Sequence, residues 1–310
     1  MAERNAEALV DSPAWADARP ALSVLIPFYR DDPRALLQTL AARSPGDVEV
    51  VVLDDGGVEP SLSDAVAAQV CALDLPTRLV RLSRNEGRAK GRNRLAAHAR
   101  AGALLFLDAD MAPDAPDFLA RWLAEARSGS AVVFGGFTVA QAESRPETAL
   151  HRRLSLAGDC APAAERAKLP EKHVFTSNLL IRRDVFEAEA FDEAFSGWGW
   201  EDVEWGMRVA RRWPIRHIDN TATHLGLDPA PALLGKYEQS AANFARVVAA
   251  HREVVRAFPS YRAAKALSRA PLRPVWRPLL KRLALAGWAP LDLRALSAKA
   301  YRAALYAEVV

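Results

Sequence analysis

Asp108 and Asp110 stand on either side of one alanine at the end of the apolar run ALLFLDAD. In an extended segment alternate residues point to one face, so both carboxylates leave the strand end on the same side. Two such oxygen donors suit a hard divalent cation whose other positions are filled by phosphate oxygens and water, which predicts Mg²⁺ or Mn²⁺ with a diphosphate ligand. Two more acidic termini follow apolar runs, PFYRDD at 27 to 32 and Asp54-Asp55-Gly56-Gly57. Further on, GWGWEDVEWGMR (197 to 208) sets three of the 8 tryptophans beside Glu201, Asp202 and Glu204. A carboxylate kept partly from water holds its proton more tightly and can act as a base near neutral pH. The stretch after Asp202 has a helical pattern, so acids at its start also favour a helix N-terminus, and Glu204 and Trp205 read as packing residues.

These residues need elements to position them. LSVLIPF (22 to 28), VEVVVLD (48 to 54), TRLVRL (77 to 82) and ALLFLD (103 to 108) read as buried parallel strands, with helix-spaced apolar residues at 32 to 44, 62 to 73 and 87 to 102 between them. That alternation predicts an α/β fold with an open, mainly parallel sheet flanked by helices, where ligands bind beyond the carboxyl ends of the strands. After 110 the strands at 131 to 139, 173 to 183 and 215 to 226 indicate a mixed second half, with a polar insert at 140 to 172 expected as a mobile loop. Leu234, Tyr237, Ala241, Phe244, Val248 and Val255 share one helix face, and prolines at 271, 274, 278 and 290 break the helices that follow.

The motifs LSVLIPFYRDD, VVVLDDGG, SRNEGRAKGRN and LLFLDADM, in that order within about residues 20 to 230, resemble a family 2 glycosyltransferase of the GT-A (Rossmann-like) fold. The resemblance implies an inverting enzyme that moves a hexosyl or N-acetylhexosaminyl group from a nucleotide-diphosphate sugar, with a UDP-sugar expected. By that likeness Pro27, Phe28 and Tyr29 line the nucleoside pocket, Asp54 recognises the base, and Asp55 is a second candidate there. Asp108 approaches the ribose and the metal, and Asp110 holds the metal directly. Arg88 and Arg92 stand where the family's Gly-x-x-x-Ala-Arg-Asn segment contacts the nucleotide sugar, with Gly91 in place of the alanine. Gly-Trp-Gly-Trp-Glu-Asp is similar to the Trp-Gly-Gly-Glu-Asp segment of several GT-A families, Trp200 replacing the second glycine. Its matching positions make Asp202 the base and Glu201 an acceptor-binding carboxylate. With Trp200 in the turn, an exchange of those two roles stays open. Trp198 and Trp200 offer faces for stacking on an acceptor sugar. His224, in TATHLG, completes the metal site, which favours Mn²⁺ somewhat over Mg²⁺. Asn178 either shapes the donor-sugar pocket or makes a strand-end hydrogen bond, and His173, His217 and His251 read as structural.

The resemblance divides the chain into an N-terminal polar segment (1 to 20), a GT-A domain (21 to 230, donor half to 112, acceptor half from 113) and a C-terminal helical extension (231 to 310). Residues 251 to 310 carry 12 Lys/Arg against three acids, although the whole chain is only +3. Arg and Lys mixed with Trp and Leu at 272 to 288 suit either an interfacial helix near anionic lipid or a helix packed on the catalytic domain. The expected partners are a nucleotide-sugar donor, a glycan or lipid-linked acceptor and peripheral membrane contact through 263 to 310. Two cysteines without a CxxC pair, no export signal and no long apolar run point to the cytoplasm, including the inner face of the membrane. Three other functions compete. A catalytically silent carbohydrate-binding or assembly protein would not need metal ligands and a base together. A sugar-phosphate nucleotidyltransferase usually opens with a Gly-rich phosphate loop, which PFYRDDP lacks. Nucleic-acid binding is not expected, because the basic tail contains no reading motif.

Overall fold

The computed structural model describes residues 6–57 and 59–310. Strands are β1 (Glu7–Asp11), β2 (Leu22–Phe28), β3 (Val48–Asp54), β4 (Thr77–Leu82), β5 (Ala103–Leu107), β6 (Met111–Pro113), β7 (Val132–Phe134), β8 (Phe137–Thr138), β9 (Asn178–Arg182), β10 (Ile215–His217) and β11 (Ala222–His224). Helices are α1 (Arg34–Ala42), α2 (Pro60–Cys71), α3 (Arg88–His98), α4 (Phe118–Arg127), α5 (Ala149–Leu156), α6 (Ala163–Arg166), α7 (Arg183–Ala188), α8 (Glu201–Val209), α9 (Ala230–Val255), α10 (Pro259–Ser268), α11 (Arg273–Leu285) and α12 (Leu291–Tyr306).

The main sheet runs β1-β4-β3-β2-β5-β9-β7-β10, and β6-β11-β8 form a second, smaller sheet. β4, β3, β2 and β5 are parallel, whereas β9 lies antiparallel to both β5 and β7. From β2 the chain steps outward through β3 and β4, then returns to β2's other side as β5, so the connection order reverses between β2 and β5. Such a reversal opens a crevice beyond the strand ends. The ends of β2, β3 and β5 there carry Phe28, Asp54 and the Asp108–Asp110 segment.

Strand alternation builds two cores from the same strands. Val24, Ile26, Val50, Val52 and Leu105 face a layer with Leu37, Val66 and Trp122 from α1, α2 and α4. Leu25, Val51, Leu53, Leu104 and Phe106 face the opposite layer with Leu95 of α3 and Phe186 of α7. A third core joins α5, α8 and α9 to α10 and α12 through Leu150, Val203, Phe244, Tyr261 and Tyr306. The expected shared face of α9 is largely buried, with Ala241 and Val248 only partly covered.

One expectation needs correction, and the N-terminal segment joins the sheet. The N-terminal polar segment contributes β1, paired antiparallel with β4, and Trp15 is buried under Arg100. The insert at 140 to 172 is no mobile loop: it carries α5, α6 and 3-10 turns at Pro146–Thr148 and Pro170–His173. Arg166 clamps it, its buried guanidinium donating to the carbonyls of Ala161 and Ile218, both at 2.6 Å, over the ring of Phe134. A loop that supplies its own apolar residues, here Leu150 and Leu154, has reason to fold against the body.

Candidate active site

The acids at the end of β3 serve the loops around them. Asp54 Oδ1 accepts the Gly57 N–H at 2.9 Å. Asp55 accepts from Asn85 Nδ2 (2.9 Å) and from the N–H groups of Glu86 (2.8 Å) and Gly87 (3.1 Å). Burial pushes the Asp55 carboxyl up to about 6, against the pull of those backbone donors. Asp55 therefore closes the loop that starts α3 instead of facing an open pocket, which corrects its expected donor-binding role. Phe28 is likewise packed in the core and lines no open surface, whereas Pro27 and Tyr29 are half-buried at the rim.

Arg88 and Arg92 lie one turn apart on α3 and so share a face. Arg92 is almost wholly enclosed; its Nη2 donates to Asp108 Oδ1 at 2.7 Å and its Nη1 stands 3.9 Å from Glu201 Oε1. Arg88 crosses it, with Nε donating to Glu201 Oε1 at 2.7 Å and Nη2 3.9 Å from Asp108 Oδ2. Two guanidinium groups thus join the end of β5 to the start of α8. Gly91 stands between them in the chain, and a Cβ there would press on Leu53 Cδ2 at 3.0 Å.

The consequence falls on the two adjacent acids of α8. Burial would raise the Glu201 carboxyl, but Arg88 and Arg92 overcome it and hold the group below its ordinary range. Asp202 is raised to about 7, first by burial and then by the negative charge of Glu201. Glu201 is 3% exposed and Asp202 half-buried. A paired, enclosed Glu201 is a poor acceptor contact, whereas Asp202 is open and close to neutrality in its proton affinity.

Asp110, in the turn between β5 and β6, meets His224 at the end of β11, Oδ2 to Nε2 at 3.1 Å. The Leu225 N–H donates to the Asp110 carbonyl at 2.9 Å, fixing one backbone against the other. Space for the carboxylate exists because residue 226 is glycine; a Cβ there would overlap Asp110 Oδ2. A cavity of about 280 Å³ opens beside Asp110, Met111 and Gly226, with Asp31 on its far side. Asp108 is engaged by Arg92, and among the described residues no three His, Cys, Asp or Glu side chains are arranged as a ready metal cage. Asp110 and His224 do fit a cation that takes its remaining oxygens from a diphosphate and water. Asp108, expected to approach the ribose and the metal, is here paired with Arg92.

Residues 197 to 200 form the turn into α8. Gly197, Gly199 and Trp200 all have left-handed backbones, at φ 73°, 88° and 77°. Such a conformation is natural for glycine and costs a bulky side chain about 1–3 kcal/mol. Trp200 is held there by its ring, 4.8 Å from that of Phe244, and by Nε1, which donates to the Tyr306 hydroxyl at 3.0 Å. Tyr306 also shares a 2.7 Å hydrogen bond with Ser240. The expected acceptor-stacking role of Trp200 is therefore corrected: its indole is spent on the C-terminal helices. Trp198 remains half-buried beside Tyr237, at 6.5 Å between rings.

The other residues singled out in the sequence sort cleanly. Asn178 is fully buried, donating to the Gly136 and Asn220 carbonyls at 2.8 Å and accepting from Trp122 Nε1 at 3.1 Å, so the hydrogen-bond alternative describes it. Glu204 binds Arg208 and His251, and Trp205 Nε1 donates to the Glu189 carbonyl at 2.6 Å. Sequence reasoning missed His151, whose ring lies 5.8 Å from that of His224 and whose Nδ1 accepts the Asp228 N–H at 2.8 Å. It also missed Asp228 itself, which pairs with Lys236 Nζ at 2.6 Å. His151 comes from the insert and carries no local signal, while Asp228, four residues after His224, was within reach of the same motif.

The profile of the family described as "Glycosyl transferase family 2" matches residues 23–189. Validoxylamine A glucosyltransferase of Streptomyces hygroscopicus subsp. limoneus is 32% identical over 229 residues, 61% of this chain and 48% of that protein. The chain thus spans about half the length of that curated relative. Among solved structures, the mannosyltransferase PcManGT of Pyrobaculum calidifontis in complex with GDP-Man and Mn²⁺ superposes with a TM-score of 0.59. It is 18% identical, over 93% of this chain and 86% of that one. TarS 1-349 of S. aureus, also 18% identical, superposes with a TM-score of 0.50 over 91% of each chain. The fold is that of GT-A glycosyltransferases.

The anchoring of Trp200 is testable. Tyr306→Phe removes the hydroxyl that joins Trp200 to Ser240 and is expected to lower stability by about 1–3 kcal/mol. Denaturant titration reads it, and an unchanged midpoint would show that the hydroxyl does not hold the turn.

Proposed function

Because the chain belongs to glycosyl transferase family 2, we propose that it transfers a sugar from a nucleotide-diphosphate donor, a UDP-sugar by preference, to a hydroxyl of a glycan or lipid-linked acceptor with inversion at the anomeric carbon. The observation that supports this most is the sorting of two neighbouring carboxylates: Glu201 is tied to Arg88 and Arg92, and Asp202 is left open and raised to about 7. In this reading residues 21 to 230 are the transferase domain, with the donor half to 112, and 231 to 310 are its helical extension.

Asp202 takes the proton of the acceptor hydroxyl as that oxygen attacks the anomeric carbon and the bond to the diphosphate breaks. Arg88, exposed on one side and fixed by Glu201 on the other, faces the negative charge that grows on the leaving group. Asp110 and His224 hold a divalent cation, Mn²⁺ or Mg²⁺, whose charge helps the diphosphate depart. Asp54, Pro27 and Tyr29 form the rim for the nucleoside. Trp198 offers its face to the acceptor sugar.

Thermal melting against a panel of nucleotide sugars, with GDP-mannose included and with or without Mn²⁺, tests the donor site. One donor at about 100 times its Kd is expected to add about 2.7 kcal/mol of stability only when metal is present. Asp110→Ala should abolish that gain, and Gly226→Ala should weaken metal affinity by about 10–100-fold. If no nucleotide shifts the melting curve, the acidic rim is not a donor site, and the silent carbohydrate-binding reading takes its place.

The base makes a separate prediction. A carboxyl raised to about 7 is protonated below that pH and ionised above it, so kcat/KM should fall about tenfold per pH unit below neutrality and level off above it. Asp202→Asn should reduce turnover by about 10²–10⁴ while leaving metal-dependent donor binding intact. A flat profile from pH 5.5 to 8.5 would remove Asp202 from the role.

The extension is proposed to rest on an anionic membrane surface. Val275 and Leu279 are exposed one turn apart on α11, with Leu272 exposed at its N-cap and Trp288 (84% exposed), Leu293 and Leu296 following. Arg262, Lys265 and Arg269 are exposed at the same spacing along α10. Apolar anchors beside cations suit anionic headgroups. Among the described residues no helix is long and apolar enough to cross a membrane. Since α12 supplies Tyr306, point changes test this better than truncation. Leu279→Ser with Trp288→Ala should weaken binding to phosphatidylserine vesicles about tenfold or more, without altering donor stabilisation; unchanged sedimentation with vesicles would discard the membrane contact.

A further inference from the structure

One stripe of α9 runs from the turn before Asp202 toward the metal pole, and it ends in a cation that neither of them has used. Lys236, Gln239, Ser240 and Asn243 stand at i, i+3, i+4 and i+7, so they share a face of the helix. The three later residues hold the turn into α8. Asn243 Nδ2 donates to the carbonyls of Ser196 and Gly199, both at 2.9 Å. A Cβ on Gly197 would stand 3.5 Å from Gln239 Oε1 and one on Gly199 3.6 Å from Ser240 Cβ, so these side chains border the two glycines. Lys236, one turn nearer the start of α9, continues the stripe toward the loop that follows His224. There its Nζ donates to Asp228 Oδ2 at 2.6 Å. Asp228 is fixed in turn, its N–H donating to His151 Nδ1 at 2.8 Å. The His151 ring lies 5.8 Å from that of His224, whose Nε2 meets Asp110. Lys236 therefore stands between the turn that leads to Asp202 and the Asp110–His224 pole.

An ammonium has three N–H donors. Among the described residues Asp228 is the one hydrogen-bond partner of Lys236, whose side chain stays 34% exposed while that of Asp228 is 16% exposed. The lysine is thus anchored on its Asp228 side and has donors left for a second anion. Its position says which anion. In a nucleotide-diphosphate sugar one phosphate is joined to the anomeric carbon, so it must lie between a cation at Asp110–His224 and the acceptor oxygen that Asp202 activates. We propose that Lys236 donates to this sugar-linked phosphate and stabilises it as it leaves. When the bond from the anomeric carbon to the phosphate oxygen breaks, the electron pair stays on that oxygen and the diphosphate gains one negative charge. The ammonium meets that charge with a charge-assisted hydrogen bond and gives up no proton. The assignment rests on the transferase reading for the departure of the diphosphate, and on the side chains alone for an anion site at Lys236.

Titration calorimetry of the full chain with UDP, UMP, GDP, GMP and inorganic pyrophosphate, each with Mn²⁺, tests it. Lys236→Met and Lys236→Gln are expected to weaken the diphosphates about tenfold or more and to leave the monophosphates nearly unchanged, whereas Lys236→Arg should keep most of the difference. Melting temperatures show that the variants fold. Mn²⁺ affinity without nucleotide, read from the paramagnetic signal of the free ion, should stay that of the parent. Equal losses for mono- and diphosphates, or a fall in Mn²⁺ affinity that accounts for the loss, would overturn the contact. If UDP or GDP binds and Lys236→Met changes nothing, the transferase reading survives and the role of Lys236 is struck out. If pyrophosphate binds through Lys236 but no nucleotide binds, the anion site stands and the transferase reading falls. Absence of binding by all five ligands overturns both.

Discussion

Arg92 is the residue on which the two halves of the site depend. It is buried on α3, and its guanidinium reaches the acid at the end of β5 and the first acid of α8 at once. Arg88 and Arg92 together hold the enclosed Glu201 carboxyl below its ordinary range against the effect of burial, and removing one member of a buried ion pair typically costs about 3–5 kcal/mol because the other is stranded. Arg88 repeats the bridge from a more open position. Four charges from three elements therefore hold the β5 end and the α8 start at one separation, which in the proposed reading is the separation between donor and acceptor chemistry.

The same bridge explains why two adjacent acids behave differently. Arg88 donates to Glu201 and Arg92 stands close by, so Glu201 is held below its ordinary range, and its charge then acts on Asp202 from one residue away. A general base near neutrality needs a carboxylate that is partly desolvated and not ion-paired. Here the pairing of one acid prepares the other. A single acid at this helix start would have taken the arginines itself, and its proton affinity would have fallen.

Much of this was readable in the sequence, for physical reasons that differ by residue. β2 and β3 are buried almost throughout and β4 at four of its six positions, and they appear as apolar-rich runs at 22 to 28, 48 to 54 and 77 to 82, matching their observed bounds. Asp110 and His224 were legible because one follows the end of β5 within three residues and the other closes β11. What was not legible depended on distant partners. Trp200 looked like a surface for sugar until Tyr306, 106 positions later, accepted its indole N–H. Phe28 and Asp55 carry the right residue types at the right strand ends, yet one turns into the core and the other into a loop. The insert's helices follow from Arg166 reaching the carbonyl of Ile218, 52 residues away, and no local pattern announces that.

The strained turn before α8 places the C-terminal helices inside the catalytic argument. Trp200 keeps a left-handed backbone only because something over-determines it, and that something is Phe244 of α9 together with Tyr306 of α12. A glycine in its place would adopt the conformation freely but would leave the turn untethered. The tryptophan couples the orientation of Asp202 to the packing of a helix whose start exposes Leu293 and Leu296. One helix thus contributes the tether of the turn before Asp202, the proposed base, and part of the exposed apolar surface, so a displacement of α12 would be felt at both.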